Sequence, residues 1–196
     1  MHAETDFMRV HSQLNQSRAN GPGERAVLWL QGCPFKCPGC YNPDLRDPID
    51  GHDVPVTDLI EWVESLNNIE GISISGGEPT EQIASLISFI YLIKEKTSLS
   101  ILLYSGRTIE DIIALPMGKD LVSLIDVLID GPYNQDMANP EGQWPSSLNQ
   151  KIHFISGRYS LNDFKDLPGT EIIITETGEV IESGMERIET GVGGKV

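Results

Sequence analysis

Basic residues are scarce in this sequence of 196 residues. Lys and Arg together number 14, against 29 Asp and Glu, and the formal net charge is −15. Because a protein that binds nucleic acid normally presents a basic face, this balance argues against that class. Long apolar runs are also absent. The longest, around residues 83–93, contains Ser85 and Ser88 and is shorter than the ~20 residues of a membrane-spanning helix. We therefore expect no nucleic acid and no membrane among the partners.

Cysteine is the third scarce feature, with three residues in the whole chain. Their odd number, and an amino terminus that lacks a basic segment followed by an apolar one, argue against a secreted protein held by disulfides. The length and ordinary apolar content predict one cytoplasmic domain over residues 1–196. We expect a polar, irregular amino-terminal extension over residues 1–25, and a β-hairpin with a frayed tail over residues 170–196.

The three cysteines, Cys33, Cys37 and Cys40, lie in one short loop rich in Pro and Gly. Thiolates spaced this closely are typical ligands of iron–sulfur clusters and of zinc. A structural zinc site takes four ligands, so here it would need a further one such as His11 or His52. Three thiolates instead suit a 4Fe–4S cluster, because they hold three irons and leave the fourth open to a substrate or cofactor. Zinc ribbons carry two separated CxxC pairs, and the lack of a second pair favours the cluster.

Strands and polar turns alternate along the chain. Strands are predicted over residues 26–31, 72–75, 99–104 and 125–129. Each is followed by a glycine-containing polar turn. An amphipathic helix is predicted over residues 83–93, and Thr57 and Thr108 are expected to cap two more helices. This alternation is typical of right-handed βα units around a parallel sheet, whose strands end at one shared edge where ligands bind.

Two other parts of the chain are less regular. Residues 41–56 are rich in Pro and Asp and are expected to form a loop. After residue 132 the alternation loosens. There we predict a further strand over residues 151–155 and a strand or hairpin over residues 171–181.

Several motifs together resemble a known family. A CxxxCxxC loop followed at once by an aromatic residue, here Tyr41, resembles the signature of radical S-adenosylmethionine (SAM) enzymes. Further segments are similar to those of the small anaerobic ribonucleotide-reductase activating proteins, in the glycyl-radical activase branch. They are Asn20-Gly-Pro-Gly-Glu-Arg25, Ser75-Gly-Gly-Glu-Pro79, Ile125-Asp-Val-Leu-Ile-Asp-Gly-Pro132 and Ser147-Leu-Asn-Gln-Lys151. The resemblance covers roughly residues 8–155. It implies an α/β fold that is an incomplete, laterally open (βα) barrel of radical SAM type.

The resemblance also implies a chemistry. A 4Fe–4S cluster on the three cysteines would cleave SAM reductively to a 5′-deoxyadenosyl radical, which abstracts a hydrogen from a polypeptide. The implied substrate is a glycine of an anaerobic ribonucleotide reductase, and the implied electron donor is a low-potential protein such as flavodoxin or ferredoxin. The metal ligands are Cys33, Cys37 and Cys40. The residues implied to bind the cofactor are Gly39, Cys40, Tyr41, Gly76, Gly77, Glu78, Pro79, Ser105, Arg107 and Asp130.

Each of these motifs also has a structural interpretation. The Gly76 to Pro79 motif can contact the amino group of SAM, or it can simply turn a strand into a helix. Ser105 and Arg107 can bind the SAM carboxylate, or can belong to a polar turn before a capped helix. Asp130 can bind ribose hydroxyls or form an ordinary Asp-Gly turn.

One segment departs from the family. Residues 146–151 read Ser-Ser-Leu-Asn-Gln-Lys, where the activating proteins tend to carry Gly-Ser-x-Asn-Gln-Arg. This difference bears on the substrate and leaves the SAM chemistry untouched. The alternative is therefore a radical SAM maturase that modifies a ribosomally made precursor peptide. A more distant alternative is a non-catalytic zinc or electron-transfer module.

Overall fold

A seven-stranded mixed sheet organises the chain in the computed structural model, which describes residues 6–140, 144–175, 177–178 and 180–184. The strands are β1 (Phe7–Ser17), β2 (Arg25–Leu30), β3 (His52–Pro55), β4 (Gly71–Gly76), β5 (Ser100–Tyr104), β6 (Val127–Asp130), β7 (Lys151–Phe154), β8 (Thr170–Ile174) and β9 (Val180–Gly184). The helices are α1 (Val56–Ser65), α2 (Ile83–Lys96), α3 (Ile109–Ala114) and α4 (Gly118–Leu124). The order in the large sheet is β3-β1-β2-β4-β5-β6-β7, and β8 and β9 form a separate hairpin.

The four central strands of the large sheet, β2, β4, β5 and β6, are parallel, as the alternation of strands and turns predicted. Their side chains alternate between two faces. Leu28, Ile74 and Leu103 pack with the helices in the main core. On the other face Leu102 and Ile129 pack in a smaller aromatic cluster. The prediction of an α/β fold with a parallel sheet is therefore confirmed. Three antiparallel strands, β1, β3 and β7, extend the parallel part of the sheet.

The irregular extension expected over residues 1–25 is wrong where β1 lies. This strand places Met8, Val10 and Leu14 in the interior, and polar residues separate them. Its register shifts between Val10 and Ser12 and again between Leu14 and Ser17. Met8, Val10 and Leu14 keep the two-residue period, but the polar Ser12 occupies the position between the last two, so the sequence reads as polar and irregular although it forms a half-buried strand.

The loop expected over residues 41–56 is wrong in its second half, where β3 pairs with β1. Thr57 is not a helix cap either. Helix α1 already begins at Val56, directly after β3, and the Thr57 hydroxyl instead contacts Asp58 Oδ1 at 3.3 Å. By contrast, Thr108 caps α3 as predicted, because its side chain accepts a hydrogen bond from the backbone N–H of Asp111.

The carboxyl-terminal predictions hold where the structure describes the chain. Strand β7 lies within the predicted residues 151–155, and β8 and β9 pair as an antiparallel hairpin. The frayed tail predicted at the carboxyl terminus falls outside the described residues. Helix α4 was not predicted. Among the described residues, no helix has both the length and the apolar character needed to cross a membrane.

Candidate cluster and cofactor site

A cavity of about 300 Å³ lies at the carboxyl ends of the parallel strands. Cys33, Cys37 and Cys40, which follow β2, contribute to its wall. The turns after β4 and β5 also line it, through Gly76 to Glu78 and through Ser105 and Gly106. The structure therefore brings together the cysteine loop and two further motifs that the sequence placed on the same edge of the sheet.

The cysteine loop is held by backbone hydrogen bonds to the segment that follows it. The N–H of Gly32 donates to the carbonyl of Leu45 at 2.9 Å, and the N–H of Cys33 donates to the carbonyl of Arg46 at 3.0 Å. The Arg46 guanidinium Nη2 also donates to the carbonyl of Cys37 at 2.8 Å. These contacts fix the start and the middle of the loop, while the three thiols are half-buried on the cavity wall.

The arrangement of the thiols fits an iron–sulfur cluster. In the described part of the chain, no three His, Cys, Asp or Glu side chains are grouped closely enough to bind one metal ion. A cluster has no such requirement, because each of its thiolates binds a different iron. His11 and His52, named for the zinc alternative, lie on β1 and β3, and neither lines the cavity. The His11 ring is instead hydrogen-bonded to Gln31 Oε1 at 2.9 Å.

The environment of Cys33 favours its protonated form when no metal is bound. Burial raises the pKa of the Cys33 thiol, and the negative charges of Glu78 and of the other two cysteines act in the same direction. A backbone hydrogen bond from Phe35 opposes them. Because a thiolate is the metal ligand, binding of a cluster must displace the proton of Cys33.

The Gly76-Gly77 pair lets the end of β4 approach the cysteine loop closely. The N–H of Gly77 donates to the carbonyl of Leu30 at 2.7 Å, and the N–H of Glu78 donates to that of Gly32 at 2.8 Å. A Cβ atom at Gly77 would lie 2.1 Å from the Gly32 carbonyl oxygen, so no larger residue fits there. Pro79 is buried at the start of a 3-10 turn and is not part of the cavity wall, and its role in cofactor binding stays a prediction.

The Glu78 carboxylate joins the ends of β4 and β5. It is 1% exposed and accepts hydrogen bonds from the Ser105 hydroxyl and the Gly106 N–H, each at 2.8 Å. It also accepts from the N–H and the hydroxyl of Thr80, at 3.1 and 2.6 Å. Three of these four bonds end on Oε1, whereas Oε2 accepts only the Gly106 N–H among the described residues and keeps capacity for a further donor. Contacts of Glu78 and Ser105 with SAM stay predictions.

Arg107, Asp130 and Gly39 are predicted site residues that are not part of the cavity wall. The Arg107 guanidinium pairs with Glu81, donates to the Thr80 hydroxyl at 2.9 Å, and lies 5.4 Å from the centre of a phenylalanine ring, Phe35. The Asp130 carboxylate accepts from the N–H at the start of α3 and lies 3.0 Å from a histidine nitrogen on β7. Gly39 has a positive φ of 67° and packs against Gln135. Their roles in cofactor binding stay predictions.

The structure adds wall residues that sequence reasoning missed. Described residues of the segment after β6 line the cavity, and Gln150 connects two parts of that segment. The Gln150 amide donates to the carbonyl of Gly131 at 3.0 Å and accepts from the Ser146 hydroxyl at 2.7 Å. Because Gln150 belongs to the Ser147-Leu-Asn-Gln-Lys151 motif, that motif was the available signal. The other missed wall residues include Asn20, Trp29, Phe35, Asn42, Arg46, Tyr104, Tyr133, Asn139 and Gly184.

The β8–β9 hairpin reaches the cavity through its last residue, Gly184. It is anchored by Asn20, whose side-chain amide donates to the hydroxyls of Ser183 at 2.7 Å and Ser17 at 2.9 Å. All three of these side chains are buried. The Asn20-Gly-Pro-Gly-Glu-Arg25 motif therefore connects the cavity wall to the hairpin.

The opposite end of the same motif is structural. Arg25 is fully buried, and its guanidinium donates to the hydroxyls of Ser73 at 2.8 Å and Ser100 at 3.0 Å. It also donates to the backbone carbonyl of Ile72 at 2.9 Å. Burial lowers the pKa of Arg25, and the Tyr159 hydroxyl opposes this shift. Because an unpaired buried cation is very costly, these partners account for the arginine without any ligand.

Comparison with known proteins agrees with this site. A family model described as a 4Fe-4S single cluster domain matches residues 19–153. Similar relatives include the anaerobic ribonucleoside-triphosphate reductase-activating proteins of Escherichia coli strain K12, Vibrio cholerae and Enterobacteria phage T4. The first is 32% identical over 157 residues, which cover 76% of this chain and 99% of the relative. The second is 31% identical over 156 residues (74% and 97%) and the third 34% identical over 141 residues (68% and 85%). The resemblance drawn from the motifs is thus confirmed, and the chain belongs to the family of anaerobic ribonucleoside-triphosphate reductase-activating proteins with a 4Fe-4S single cluster domain.

Proposed function

We propose that this protein is a radical SAM enzyme that generates a glycyl radical on an anaerobic ribonucleotide reductase. One observation carries the proposal: three thiols, a Gly-Gly-Glu turn and Ser105 come from the ends of three adjacent parallel strands and line one cavity. The relatives described above are named as activators of that reductase, which supports this choice of substrate.

Each wall of the cavity has a distinct task in this proposal. Cys33, Cys37 and Cys40 hold the cluster. When bound, the cluster supplies the chemistry by which SAM is cleaved reductively to a 5′-deoxyadenosyl radical. The acceptors proposed for the SAM amino group are the backbone carbonyls around Gly76 and Gly77 and the Glu78 Oε2 atom, which among the described residues accepts only from the Gly106 N–H.

The remaining wall shields the reaction. Trp29, Tyr104 and Ile129 contribute large apolar surfaces to the cavity, and Tyr41 lies next to the last cysteine. A reactive radical requires water to be excluded, and apolar walls serve this purpose. The Tyr104 ring is held in place because it stacks at a tilt on Trp144, with ring centroids 6.0 Å apart.

We further propose that the chain is a single radical SAM domain shaped as an incomplete, laterally open (βα) barrel. The support is that, in the described part of the chain, β3 and β7 are the two outer strands of the sheet, since β3 pairs with β1 alone and β7 with β6 alone. An open side would admit a segment of a polypeptide substrate to the cavity. A low-potential donor such as flavodoxin or ferredoxin would supply the electron.

The test is anaerobic reconstitution with iron and sulfide, followed by incubation with SAM, a reductant and an anaerobic ribonucleotide reductase. We expect about four irons per chain, 5′-deoxyadenosine detected by chromatography, and a glycyl-radical doublet in the EPR spectrum of the reductase. A Cys37→Ser variant should lose all three signals. A colourless zinc protein would overturn the proposal, and 5′-deoxyadenosine without a doublet would overturn the choice of substrate.

A precursor peptide is the second candidate substrate, and one observation favours it. Ser146 lines the cavity at the position where activating proteins tend to carry Gly, so its side chain alters the wall that a substrate meets. Mass spectrometry of a co-expressed peptide encoded beside this protein tests this candidate. A mass change that depends on Cys37 would support it, and an unmodified peptide would count against it.

A further inference from the structure

Arg46 is built into the cysteine loop although it follows the loop in sequence. Its Nη2 donates to the carbonyl of Cys37 at 2.8 Å, and its own carbonyl accepts from the N–H of Cys33 at 3.0 Å. The side chain is half-buried and contributes to the cavity wall. Arg46 is therefore tied to two of the three cysteines and faces the same space as their thiols.

One donor of this guanidinium is unsatisfied. The Nε atom of Arg46 is buried, and no described residue supplies a hydrogen-bond partner for it. No ion pair is formed by Arg46 within the described residues either. A buried cationic donor without an acceptor is costly, so such an atom points to a partner that binds from outside the chain.

The charge of the cavity wall defines that partner. Among the described wall residues, Arg46 and Glu78 are the only Lys, Arg, Asp or Glu side chains. The Glu78 carboxylate is engaged by four donors of the protein and does not approach Arg46 as a salt-bridge partner. Arg46 is thus the one positive charge among the described wall residues, and it forms no ion pair although it lies beside three thiols that become anionic when they bind metal.

We propose that Arg46 is the anion-binding residue of this cavity, with its Nε–H donating to a negatively charged acceptor of the bound cofactors. The acceptor is either a sulfur atom of the cluster or the carboxylate of SAM, and the second choice rests on the proposed function. Arg107 was predicted to bind this carboxylate, but its guanidinium is engaged by Glu81 and Thr80 and lies outside the wall. Arg46 is accordingly a positioning residue, since it orients the cysteine loop and the anion together.

The test compares Arg46→Gln with the wild type after anaerobic reconstitution. Two quantities are measured: the reduction potential of the cluster by EPR-monitored titration without SAM, and the dissociation constant of SAM. If the acceptor is the carboxylate, SAM binds about tenfold or more weakly, the usual effect of losing a charge-assisted hydrogen bond. If the acceptor is a cluster sulfur, the potential becomes more negative, because removal of a nearby positive charge disfavours an added electron. Unchanged values for both would overturn the proposal.

Two further variants make the result specific. Arg46→Lys keeps the charge but lacks the Nε donor, so we expect its changes in reduction potential and in SAM affinity to be smaller than those of Arg46→Gln. If Arg46→Gln fails to retain iron, the same two quantities are measured on Arg46→Lys instead. Arg18→Gln is the matched control, because Arg18 is an exposed arginine whose ion pair with Glu24 lies outside the cavity wall. It should leave both quantities unchanged. The potential without SAM is measurable even if the protein makes no 5′-deoxyadenosine, so failure of the proposed function is distinguishable from failure of this inference.

Discussion

Replacement of Glu78 by Gln tests whether this carboxylate holds the site together. The substitution preserves the shape of the side chain but replaces one acceptor oxygen by an NH₂ group. Oε1 accepts three of the four hydrogen bonds, from Thr80 and Ser105, and an amide oxygen at that position can keep them. The NH₂ group would then face the N–H of Gly106, which now donates to Oε2 at 2.8 Å.

The cost follows from these contacts. The Gly106 N–H loses its acceptor, and a buried donor left unpaired costs ~1–3 kcal/mol. The three retained bonds change from charge-assisted to neutral, which weakens them further. Removing a charge that is 1% exposed acts in the opposite direction, because it relieves desolvation. We expect the lost acceptor and the weakened bonds to dominate, and the free energy of unfolding to fall by ~2–4 kcal/mol.

Urea denaturation of the anaerobically purified protein measures this change. The control is Glu81→Gln, since Glu81 is a more exposed carboxylate three residues later that pairs with Arg107. An exposed ion pair contributes only ~0–1 kcal/mol, so the control should unfold at nearly the wild-type urea concentration. If Glu78→Gln unfolds together with Glu81→Gln, the four hydrogen bonds do not stabilise the strand ends and the reasoning is refuted.

Two further predictions concern packing and pH. Gly77→Ala should lower the free energy of unfolding by ~1–3 kcal/mol or more and reduce iron content, because the new Cβ would lie 2.1 Å from the Gly32 carbonyl. Gly157→Ala is the control, because its new Cβ would lie in open space and only the positive φ of Gly157 costs ~1 kcal/mol. Equal losses of unfolding free energy in the two variants would contradict the steric argument. Burial acts to raise the pKa of Asp126, but hydrogen bonds, including one from Lys94, hold it below its usual value. A lowered carboxyl pKa stabilises the fold above the unfolded pKa of ~4 and less so as the pH falls below it. Urea titrations of cluster-free Asp126→Asn should therefore show a smaller loss of stability below pH 4 than the wild type, and an identical loss would refute this.

The strands and their turns were predictable because their signals are local. A buried parallel strand is a short run rich in apolar residues with a glycine within two residues after its end, and β2, β4, β5 and β6 all fit that description. Strand β1 escaped prediction because its apolar residues are separated by polar ones and its register shifts twice. With Ser12 at one of the alternating positions, only three interior apolar residues remain, which is too few to distinguish this bulged strand from a polar loop.

The cofactor chemistry of the site was predictable from the identity and spacing of a few residues. The spacing of Cys33, Cys37 and Cys40 sets the kind of cofactor, because ligand type and number depend on residue identity alone. The partners of the charged groups, by contrast, depend on how the chain folds. Arg107 is engaged by neighbours from another turn, whereas Arg46 keeps a buried donor in the cavity wall. The direction and pairing of a long charged side chain depend on segments that are distant in sequence, so no local motif could have separated these two arginines.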